Sequence, residues 1–453
     1  MTKRKTAVIV LAAGRGTRMK SSLPKVLHTL AGRPMLNHLL GQVEKLNPAK
    51  VVVVVAPDMA KVAEAASPHP TVVQQKQLGT AHAVLAAKPE LVGFDGDVLV
   101  LYADTPLTRV ATLKRMLAAR RAKADPAVVV LGFRPTDPAG YGRLIVAKDG
   151  GLDAIIEAKD ALPAQRRIDF CNSGAMAFDG RVLFDLLAKV GNRNAKKEYY
   201  LTETVAIARR MGRRAAAVEG PADEFLGVNS RAELAAAEAA LQARLRGAAM
   251  DAGATLIAPE TVWLSADTRL GKDVVVGPNV FFGPGVTVGD GANIRAFCHI
   301  EGARIESGAI IGPFARLRPG TRISKNAHVG NFVEIKNALM GEGAKANHLS
   351  YVGDAEVGEG ANIGAGTITC NYDGVAKHRT TIGPGAFIGS NTALVAPVTV
   401  GANATVGAGS VISRNVAEGS LAITRAPQKE VAGWAARTRR SAAKNSAKPK
   451  KKG

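Results

Sequence analysis

Residues 270–300 read LGKDVVVGPNVFFGPGVTVGDGANIRAFCHI, and a large apolar residue returns at every sixth position, often followed by glycine. The pattern continues to residue 412 over 24 positions, and 14 of them are followed by glycine. An α-helix requires a period of about 3.6 and a simple strand a period of about 2, so a period of six fits neither. It is typical of a parallel β-helix built from hexapeptide repeats, three to a triangular coil. We therefore predict a left-handed parallel β-helix filled by these side chains.

One insertion interrupts the hexapeptide pattern. Between Thr369 and Ile382 the register breaks, and the residues CNYDGVAKHRT occupy positions 370–380. A solenoid tolerates insertions as loops on one face, and such loops often carry function. The insertion is therefore a candidate part of a site.

The first half of the chain has a different rhythm. Short apolar runs at Ala7–Ala12, Val51–Ala56, Val98–Tyr102 and Val128–Phe133 alternate with helix-like segments. This alternation predicts buried parallel strands in a Rossmann-like α/β sheet with helices on both faces. The stretch at 229–249, NSRAELAAAEAALQARLRGAA, is rich in strong helix formers and begins with a capping box. We interpret it as a connecting helix.

These patterns predict four parts of the chain. They are an α/β domain at 1–229, a linker helix at 230–250, a β-helix domain at 251–430 and a basic, disordered tail at 431–453. The formal net charge is +22, and the tail contributes to it as a solvated basic end; binding to nucleic acid or lipid is the alternative. The basic stretch at 436–453 contains no aromatic residue and no recognition motif for nucleic acid, so we expect no nucleic-acid partner.

The cysteines and the hydropathy pattern indicate the compartment. Cys171, Cys298 and Cys370 show no paired spacing, which favours neither a disulfide framework nor a zinc site. Unpaired cysteines are typical of a reducing cytoplasm. No stretch approaches the roughly 20 apolar residues needed to cross a bilayer, so we expect no transmembrane segment.

A glycine-rich, basic loop follows the first strand. It reads Gly14-Arg15-Gly16-Thr17-Arg18-Met19, with Lys25 further on. Glycines at the end of a strand let backbone N–H groups approach phosphates, and Arg18 and Lys25 add charged contacts to a polyphosphate. The spacing lacks the third glycine of a dinucleotide fingerprint and the GK[ST] of a P-loop. Neither an NAD enzyme nor a Walker ATPase is indicated.

The stretch LAAGRGTRM, with Leu23-Pro24-Lys25 after it, resembles the signature of sugar-nucleotide pyrophosphorylases. Together with the hexapeptide repeats, the chain over roughly residues 6–430 resembles the bifunctional N-acetylglucosamine-1-phosphate uridylyltransferase/glucosamine-1-phosphate acetyltransferase family. The resemblance implies that Arg18 and Lys25 are catalytic and that Asp104 and Asn229 hold Mg²⁺. It also implies nucleotide contacts from Leu11, Ala12, Ala13, Gly14, Lys25, Gln74, Gly79, Thr80, Tyr102, Ala103 and Asp104. The sugar phosphate would be bound by Gly140, Glu157, Asn172, Thr202 and Asn229.

In the β-helix the resemblance implies a second site. Its amino-sugar phosphate contacts would be Arg318, Lys336, Tyr351 and Asn362. The acetyl-CoA contacts would be Ala365, Asn371, Tyr372, Ser390, Ala408 and Arg425, with Asn371 and Tyr372 reaching the sugar from the inserted loop. An amine that is mainly ammonium at neutral pH must lose a proton before it can attack a thioester, and His348 is our candidate general base. Cys370 is an alternative acyl-carrying nucleophile, but we favour direct transfer.

By resemblance, acetylation with acetyl-CoA comes first and coupling to UTP then gives UDP-N-acetylglucosamine, a precursor of peptidoglycan and lipopolysaccharide. The resemblance also implies a homotrimer with coenzyme sites between prisms. Two other interpretations stay open at this point. One is a nucleotidyltransferase with a single function, whose β-helix is only structural or regulatory. The other is a scaffold or regulatory subunit with a degenerate nucleotide site.

Overall fold

The computed structural model describes residues 4–446 and divides the chain into two compact units. The first comprises residues up to Ala252 together with Ala258–Thr268 and Phe282–Gly285, and the remainder forms the second. Residues 1–3 and 447–453, which include the end of the predicted tail, lie outside the described residues. Within 4–446, no helix is both long and apolar enough to cross a membrane.

The first unit is built on a nine-stranded sheet. Along its main path the strands follow the order Ala215–Glu219, Val128–Phe133, Cys171–Asp179, Asp97–Tyr102, Thr6–Leu11, Lys50–Val55 and Thr71–Val73, while Arg143–Val146 and Leu152–Ile156 form a hairpin off this path. The helices are Met35–Glu44, Ala60–Ala65, Thr80–Ala86, Val110–Arg120, Pro163–Arg166, Gly180–Leu187, Glu203–Arg210 and Arg231–Asp251. The short turns of 3-10 helix are Thr17–Met19, Lys25–Leu27, Lys88–Leu91, Ala222–Glu224 and Pro259–Thr261, and a two-stranded ribbon joins Thr29–Leu30 to Arg33–Pro34.

The predicted Rossmann-like sheet is confirmed, with one strand that the sequence did not reveal. Thr6–Leu11 pairs in parallel with Lys50–Val55 and with Asp97–Tyr102. Cys171–Asp179 lies antiparallel between Asp97–Tyr102 and Val128–Phe133, so these two outer strands still point the same way. The sequence of Cys171–Asp179 did not indicate a strand, because polar residues at 172–173 and a bulge interrupt the apolar alternation near its start.

The second unit contains the predicted left-handed parallel β-helix. Its first sheet has the strands Thr255–Leu256, Val275–Val276, Asn293–Ile294, Ile310–Ile311, His328–Asn331, Lys345–His348, Asn362–Ile363, Phe387–Ile388, Thr405–Val406 and Leu421–Ala422. Its second has Arg269–Leu270, Thr287–Val288, Ala303–Ile305, Thr321–Ile323, Leu339–Met340, Ala355–Val357, Thr380–Ile382 and Val398–Val400. Its third has Phe281–Phe282, His299–Ile300, Arg316–Leu317, Glu334–Lys336, Tyr351–Gly353, Ile368–Cys370, Ala393–Val395 and Val411–Ile412.

The six-residue period is a true register of the coils. Val276 pairs with Ile294, which pairs with Ile311, so equivalent residues stack from coil to coil. All of the repeated apolar positions are buried except Leu270, which is half-buried near the start of the prism. The insertion lengthens one coil, because Val357 pairs with Ile382 at a separation of 25 whereas Ile382 pairs with Val400 at 18.

The end of the described chain differs from the expected disordered tail. Trp434–Ser446 forms a helix, and the side chains described in it, residues 434–443, are exposed. The segment is rich in Ala and Arg, which are strong helix formers, so its local preference is helical even without burial. Composition alone indicated a polar, basic segment and did not separate an exposed helix from disorder.

Candidate active sites

The first candidate site lies at the carboxyl edge of the parallel strands. Leu11 and Tyr102 end neighbouring strands, and the Ala103 N–H donates a 3.1 Å hydrogen bond to the Leu11 carbonyl. The Ala12 N–H donates to the Val54 carbonyl at 2.8 Å. The segments 11–13 and 102–104 are thereby held side by side where ligands bind in open α/β sheets.

The glycine-rich loop folds back onto Lys25. Gly16 has a φ of +60°, and a Cβ atom there would lie 2.5 Å from the Cβ of Lys25. Glycine is therefore required for both the backbone conformation and the close approach. Gly14 and Arg18 are exposed at the open edge of the site, whereas Lys25 is buried. Among the described residues, the Arg18 side chain has no hydrogen bond or ion pair with another predicted site residue.

Lys25 joins the two residues predicted to hold the metal. Its ammonium Nζ lies 2.6 Å from Asp104 Oδ2 and 2.9 Å from Asn229 Oδ1. A carboxylate and an amide oxygen therefore converge on one point beside the phosphate loop, and they are ligands that Mg²⁺ accepts. Within residues 4–446 no group of three or more His, Cys, Asp or Glu side chains could hold a metal. The donor set fits a Mg²⁺ ion that relies on substrate phosphates and water for its other ligands.

The segment at 74–80 approaches the loop from the other side. Gln74 is buried and donates a 3.1 Å hydrogen bond to the Gly79 carbonyl, while Gln77 donates to the Ala13 carbonyl at 2.6 Å. Thr80 begins a helix, and its hydroxyl accepts a 2.9 Å hydrogen bond from the Leu201 N–H. Gly79 adopts a φ of +116° against the backbone of Tyr199, so a side chain at 79 would collide with it. The segment is thus fixed before any ligand binds.

The residues predicted to bind the sugar phosphate form a second cluster in this unit. Glu157 Oε1 accepts a 3.0 Å hydrogen bond from the Thr202 hydroxyl, and burial raises the pKa of the Glu157 carboxyl. Asn172 Oδ1 accepts a 2.9 Å hydrogen bond from the Gly174 N–H, and the Asn172 N–H donates to the Gly142 carbonyl at 2.8 Å. These contacts join the segment at 157 to that at 202, and the segment at 142 to that at 172. The strand register brings the two pairs together, because Arg143 pairs with both Cys171 and Ile156. Gly140 lies in an exposed turn just before them.

The ring of Tyr102 connects this cluster with the strand end. A Cβ atom at Gly174, whose φ is +93°, would lie 3.0 Å from the Tyr102 ring. Burial raises the pKa of Tyr102 well above its usual range, and a hydrogen bond with Thr80 only partly opposes this shift. The Tyr102 side chain is therefore neutral, and its ring lies between the segments predicted to bind the sugar and the nucleotide.

The second candidate site lies on the β-helix around His348. Asn331 and His348 are paired in neighbouring coils, and His348 Nδ1 lies 3.0 Å from Asn331 Oδ1. An amide oxygen only accepts hydrogen bonds, so this contact suits a neutral ring with its proton on Nδ1 and a free lone pair on Nε2. The ring is exposed and able to meet a substrate.

Several cations gather on the third sheet and the inserted loop. Arg318 Nη1 donates a 2.9 Å hydrogen bond to Glu334 Oε1. The pKa of Lys336 is lowered, first by a hydrogen bond with Lys377 and then by the charge of that second ammonium, with a smaller effect of Arg318. A cluster of three cations suits a phosphate group. Sequence reasoning missed Lys377, although a lysine within a loop that breaks the repeat was an available signal.

The inserted loop is tied to the prism by polar contacts. Asn371 donates hydrogen bonds to Asp354 and, at 3.5 Å, to the Tyr351 hydroxyl. Asp373 accepts hydrogen bonds from the Val375 and Ala376 N–H groups at 2.8 and 2.7 Å. The pKa of the Asp373 carboxyl is held well below its usual range. The main cause is the hydrogen bond from the Ala376 N–H, followed by the one from the His378 imidazole. The loop therefore positions Asn371 next to Tyr351.

The predicted acetyl-CoA contacts follow one corner of the prism. Backbone carbonyls along this corner accept hydrogen bonds from N–H groups of the next coil. The His348 carbonyl accepts from Gly366 at 3.4 Å, the Ala365 carbonyl from Asn391 at 2.7 Å and the Ser390 carbonyl from Gly409 at 2.8 Å. The series ends where Arg425 Nη1 donates to the Ala408 carbonyl at 2.6 Å. These four corner residues are thus stacked on successive coils and lead from His348 to Arg425, a layout that suits an extended ligand.

The other predicted residues of the second candidate site are Asn362, Tyr372 and Cys370. Asn362 is half-buried in the coil that also contains Ala365, and Tyr372 is exposed at the tip of the loop, where its hydroxyl donates to the Gly374 carbonyl at 2.6 Å. Cys370 is half-buried and unpaired, as Cys171 and Cys298 are unpaired and buried. The structure gives no neighbouring base for the Cys370 thiol among the hydrogen bonds of the described residues.

Both halves of the chain match known families. Residues 8–166 match the MobA-like NTP transferase domain, and residues 267–302 and 379–414 match the bacterial transferase hexapeptide family of six repeats. The chain is 61% identical to the bifunctional protein GlmU of Paramagnetospirillum magneticum over 99% of this chain and 100% of that relative. It is 64% identical to the bifunctional protein GlmU of Rhodospirillum rubrum over 96% of this chain and 97% of that relative.

A third relative, the bifunctional protein GlmU of Azorhizobium caulinodans, is 58% identical over 97% of this chain and 98% of its own length. The matched lengths extend over both units of the chain. The chain belongs to the family of bifunctional GlmU proteins.

Proposed function

We propose that this chain is a bifunctional transferase that acetylates glucosamine 1-phosphate with acetyl-CoA and then couples N-acetylglucosamine 1-phosphate to UTP. The products are UDP-N-acetylglucosamine and pyrophosphate. The observation that carries the proposal is the presence of two chemically different sites in one member of the bifunctional GlmU family. A nucleotidyltransferase with a single function is not favoured, because it gives no reason for His348, its Asn331 partner and the cationic cluster on the β-helix.

In the uridylyl transfer, a phosphate oxygen of the sugar phosphate attacks the α-phosphorus of UTP. The bond from that phosphorus to the β-phosphate oxygen breaks, and pyrophosphate leaves. No protein nucleophile is needed, because positioning and charge stabilisation suffice for phosphoryl-type transfer. Arg18 and Lys25 stabilise the departing pyrophosphate, while Glu157, Thr202 and Asn172 orient the sugar.

Asp104 and Asn229 are the residues that would hold Mg²⁺. Their oxygens already converge on one cationic group, the Lys25 ammonium, which supports this assignment. The bound ion would supply positive charge to the phosphates of two anionic substrates that otherwise repel each other. All of the nucleotide-binding assignments, from Leu11–Gly14 to Gln74, Gly79, Thr80 and Tyr102–Asp104, remain part of this proposal.

In the acetyl transfer, Arg318, Lys336 and Lys377 bind the phosphate of the amino sugar, and Tyr351, Asn362 and Asn371 orient its ring. His348 Nε2 takes a proton from the ammonium, and the amine nitrogen then attacks the thioester carbonyl. The carbon–sulfur bond breaks, and the His348 imidazolium returns its proton to the departing thiolate, so coenzyme A leaves as the thiol. The nitrogen releases its remaining extra proton to solvent and becomes the amide. Ala365, Ser390, Ala408 and Arg425 line the corner along which the coenzyme extends, with Tyr372 near its reactive end.

We also propose that the chain assembles as a homotrimer. The β-helix exposes a column of large apolar side chains on one corner, namely Phe297, Phe314, Phe332 and Leu349, which we call the aromatic column. The rings of Phe314 and its two neighbours are stacked at 4.9 and 5.3 Å. A contiguous exposed apolar surface is typical of a subunit contact, and the corner is the one that continues to His348. A cytoplasmic location remains a prediction from the unpaired cysteines.

The test of the N-terminal assignment is the Arg18→Ala variant, assayed for both activities on the same sample. Pyrophosphate release should fall about 100- to 1,000-fold, because a cation aimed at developing charge is lost, while acetylation stays at the wild-type rate. Arg115→Ala is the matched control, since Arg115 is an exposed arginine on the helix Val110–Arg120. Full pyrophosphate release by Arg18→Ala would remove Arg18 from the proposed mechanism.

A further inference from the structure

Lys25 has an unusual position for a residue assigned to phosphate binding. Its ammonium does not point to the open edge of the site, but lies 2.6 Å from Asp104 Oδ2 and 2.9 Å from Asn229 Oδ1. The side chains of Lys25 and Asp104 are only 9% and 23% exposed. The ion pair is therefore partly shielded from water. Opposite charges attract more strongly in such a position than at an open surface.

The backbone holds Lys25 in this place. Lys25 begins a turn of 3-10 helix directly after Pro24, and the loop at Gly16 packs against its side-chain stem. The ammonium is thus directed inward by the fold of the loop. Lys25 differs in this respect from Arg18, which belongs to the same loop and is exposed.

The two oxygen donors are also held independently of Lys25. The Val228 N–H donates a 2.9 Å hydrogen bond to the Asp104 carbonyl, which joins the two donor segments. The Asn229 N–H donates to Glu233 Oε2 at 2.8 Å, within the capping interaction that starts the helix Arg231–Asp251. Because both donors are positioned by backbone contacts, they present the same pair of oxygens to any cation that enters.

From this geometry we infer that, in the nucleotide-free protein, the Lys25 ammonium occupies the cation position between Asp104 and Asn229 and competes with Mg²⁺ for the same oxygens. The inference rests on the proposed function, in which those oxygens are metal ligands. UTP phosphates attract the Lys25 ammonium away from the two donors and thereby open them to the ion. Nucleotide and metal then bind cooperatively, and the coupling is reciprocal.

The competition predicts weak metal binding before nucleotide binds. Mn²⁺ serves as the probe, and its free concentration is followed by electron paramagnetic resonance with the full chain in the absence of nucleotide. Lys25→Met removes the ammonium and keeps the aliphatic stem, so Mn²⁺ affinity should rise about tenfold over wild type. Lys50→Met is the matched control, because Lys50 also forms a 2.7 Å ion pair, with Glu90, and that pair is more exposed. The control should bind Mn²⁺ as wild type does.

Equal Mn²⁺ affinity in Lys25→Met and wild type would overturn the competition. Weaker affinity in Lys25→Met, with an unchanged circular dichroism spectrum, would overturn it as well. A separate arm tests the proposed function: with UTP present, Asp104→Asn should lose most of the Mn²⁺ binding of the wild type. If Asp104→Asn keeps full binding with UTP, the metal assignment itself is wrong, and this result is distinct from a failure of the competition alone.

Discussion

Asn331 is the hydrogen-bond partner of the His348 ring. Because the amide oxygen accepts from Nδ1 at 3.0 Å, Nε2 is left as the proton acceptor that general-base catalysis requires. The pairing of Asn331 with His348 follows from the β-helix, since the two residues are register partners in adjacent coils. In the proposed acetyl transfer, Asn331 is thus a positioning residue.

We predict that Asn331→Leu lowers kcat for acetylation by about 10- to 100-fold, because the ring loses the contact that aligns it. Asn331→Asp retains an acceptor oxygen at the same place and should restore most of the activity. Steady-state kinetics of the two variants check this prediction, and KM for glucosamine 1-phosphate should change little in either. Equal losses in Asn331→Leu and Asn331→Asp would argue for a general structural role instead.

At the residue scale, the family resemblance identified groups that are far apart along the chain, whereas a contact that depends on the path of a loop was not predicted. Asp104 and Asn229 were assigned through the family resemblance, and the structure brings their oxygens to one point. The approach of Lys377 to Lys336 was not foreseen, because it depends on the path of the inserted loop. The contact of Asn331 with His348 could have been found from the coil length, which places residues about one coil apart side by side.

At the scale of elements, the inserted loop is separable from the prism that carries it. The coil with the insertion spans seven residues more than the next coil, since 25 minus 18 is 7. Deleting residues 372–378 restores a coil of ordinary length and joins Asn371 to Arg379. The apolar positions inside the prism are unaffected, so the β-helix should still fold.

We predict that this deletion lowers acetylation by at least about 100-fold, because Lys377 and the loop that holds Asn371 are lost. Pyrophosphate release should remain at the wild-type rate. Parallel assays and a circular dichroism spectrum check the result. Substantial acetylation by the deletion variant would show that the loop is not part of the site.

A buried ion network stabilises the edge of the N-terminal sheet opposite the site. Arg120 is fully buried and lies 2.7 Å from Asp179 and 2.6 Å from Asp125. Burial works against ionisation of Asp179, but hydrogen bonds from Arg181 and the charge of Arg120 outweigh it and hold the pKa of this carboxyl below its usual value. Asp179 also caps the helix Gly180–Leu187. The network therefore couples stability to the ionisation of its carboxylates.

A carboxyl whose pKa is lower in the folded than in the unfolded state stabilises the fold at pH values above its unfolded pKa of about 4. It loses that contribution as the pH falls through its folded pKa. We predict that Asp179→Asn, which keeps the capping oxygen, lowers the free energy of unfolding by about 2 kcal/mol at pH 7. The difference from wild type should shrink below about pH 4. Urea titrations at neutral and acid pH measure it, and a difference that does not depend on pH would contradict the electrostatic explanation.

The elements themselves were predicted unevenly. The strands Thr6–Leu11, Lys50–Val55, Asp97–Tyr102 and Val128–Phe133 are within a residue of the expected runs, because buried parallel strands are continuously apolar. The strand Cys171–Asp179 was missed because the polar residues of the site interrupt its pattern. The helix Trp434–Ser446 was missed because a polar composition, and not periodicity, guided the interpretation of the tail.

At the scale of the whole molecule, the hexapeptide period over residues 270–412 predicted the β-helix because each coil repeats the same packing problem. The prism also includes the short strands Thr255–Leu256 and Leu421–Ala422, which lie outside that range. The aromatic column was not noticed in the sequence, since its members are exposed and lie one coil apart. Phe297, Phe314 and Phe332 are 51%, 46% and 56% exposed, which is unusual for stacked rings in a prism with a packed interior. An assembly that covers these rings removes their apolar surface from water.

We predict that Phe314→Asp dissociates the homotrimer, because a carboxylate in the middle of the column must be desolvated in the contact. Light scattering coupled to size-exclusion chromatography should give the mass of three chains for wild type and of one chain for the variant. Val92→Asp is the control, since Val92 is 80% exposed and lies outside the column. A wild type with the mass of one chain would contradict the proposed assembly.

The most direct test of the account compares wild type with His348→Ala in two assays on the same samples, acetyl-CoA-dependent acetylation of glucosamine 1-phosphate and UTP-dependent pyrophosphate release. The account predicts that the substitution lowers acetylation about 100- to 10,000-fold, because the general base is lost, and leaves pyrophosphate release unchanged. Wild-type protein that releases pyrophosphate but transfers no acetyl group, or a His348→Ala variant that acetylates normally, would contradict it.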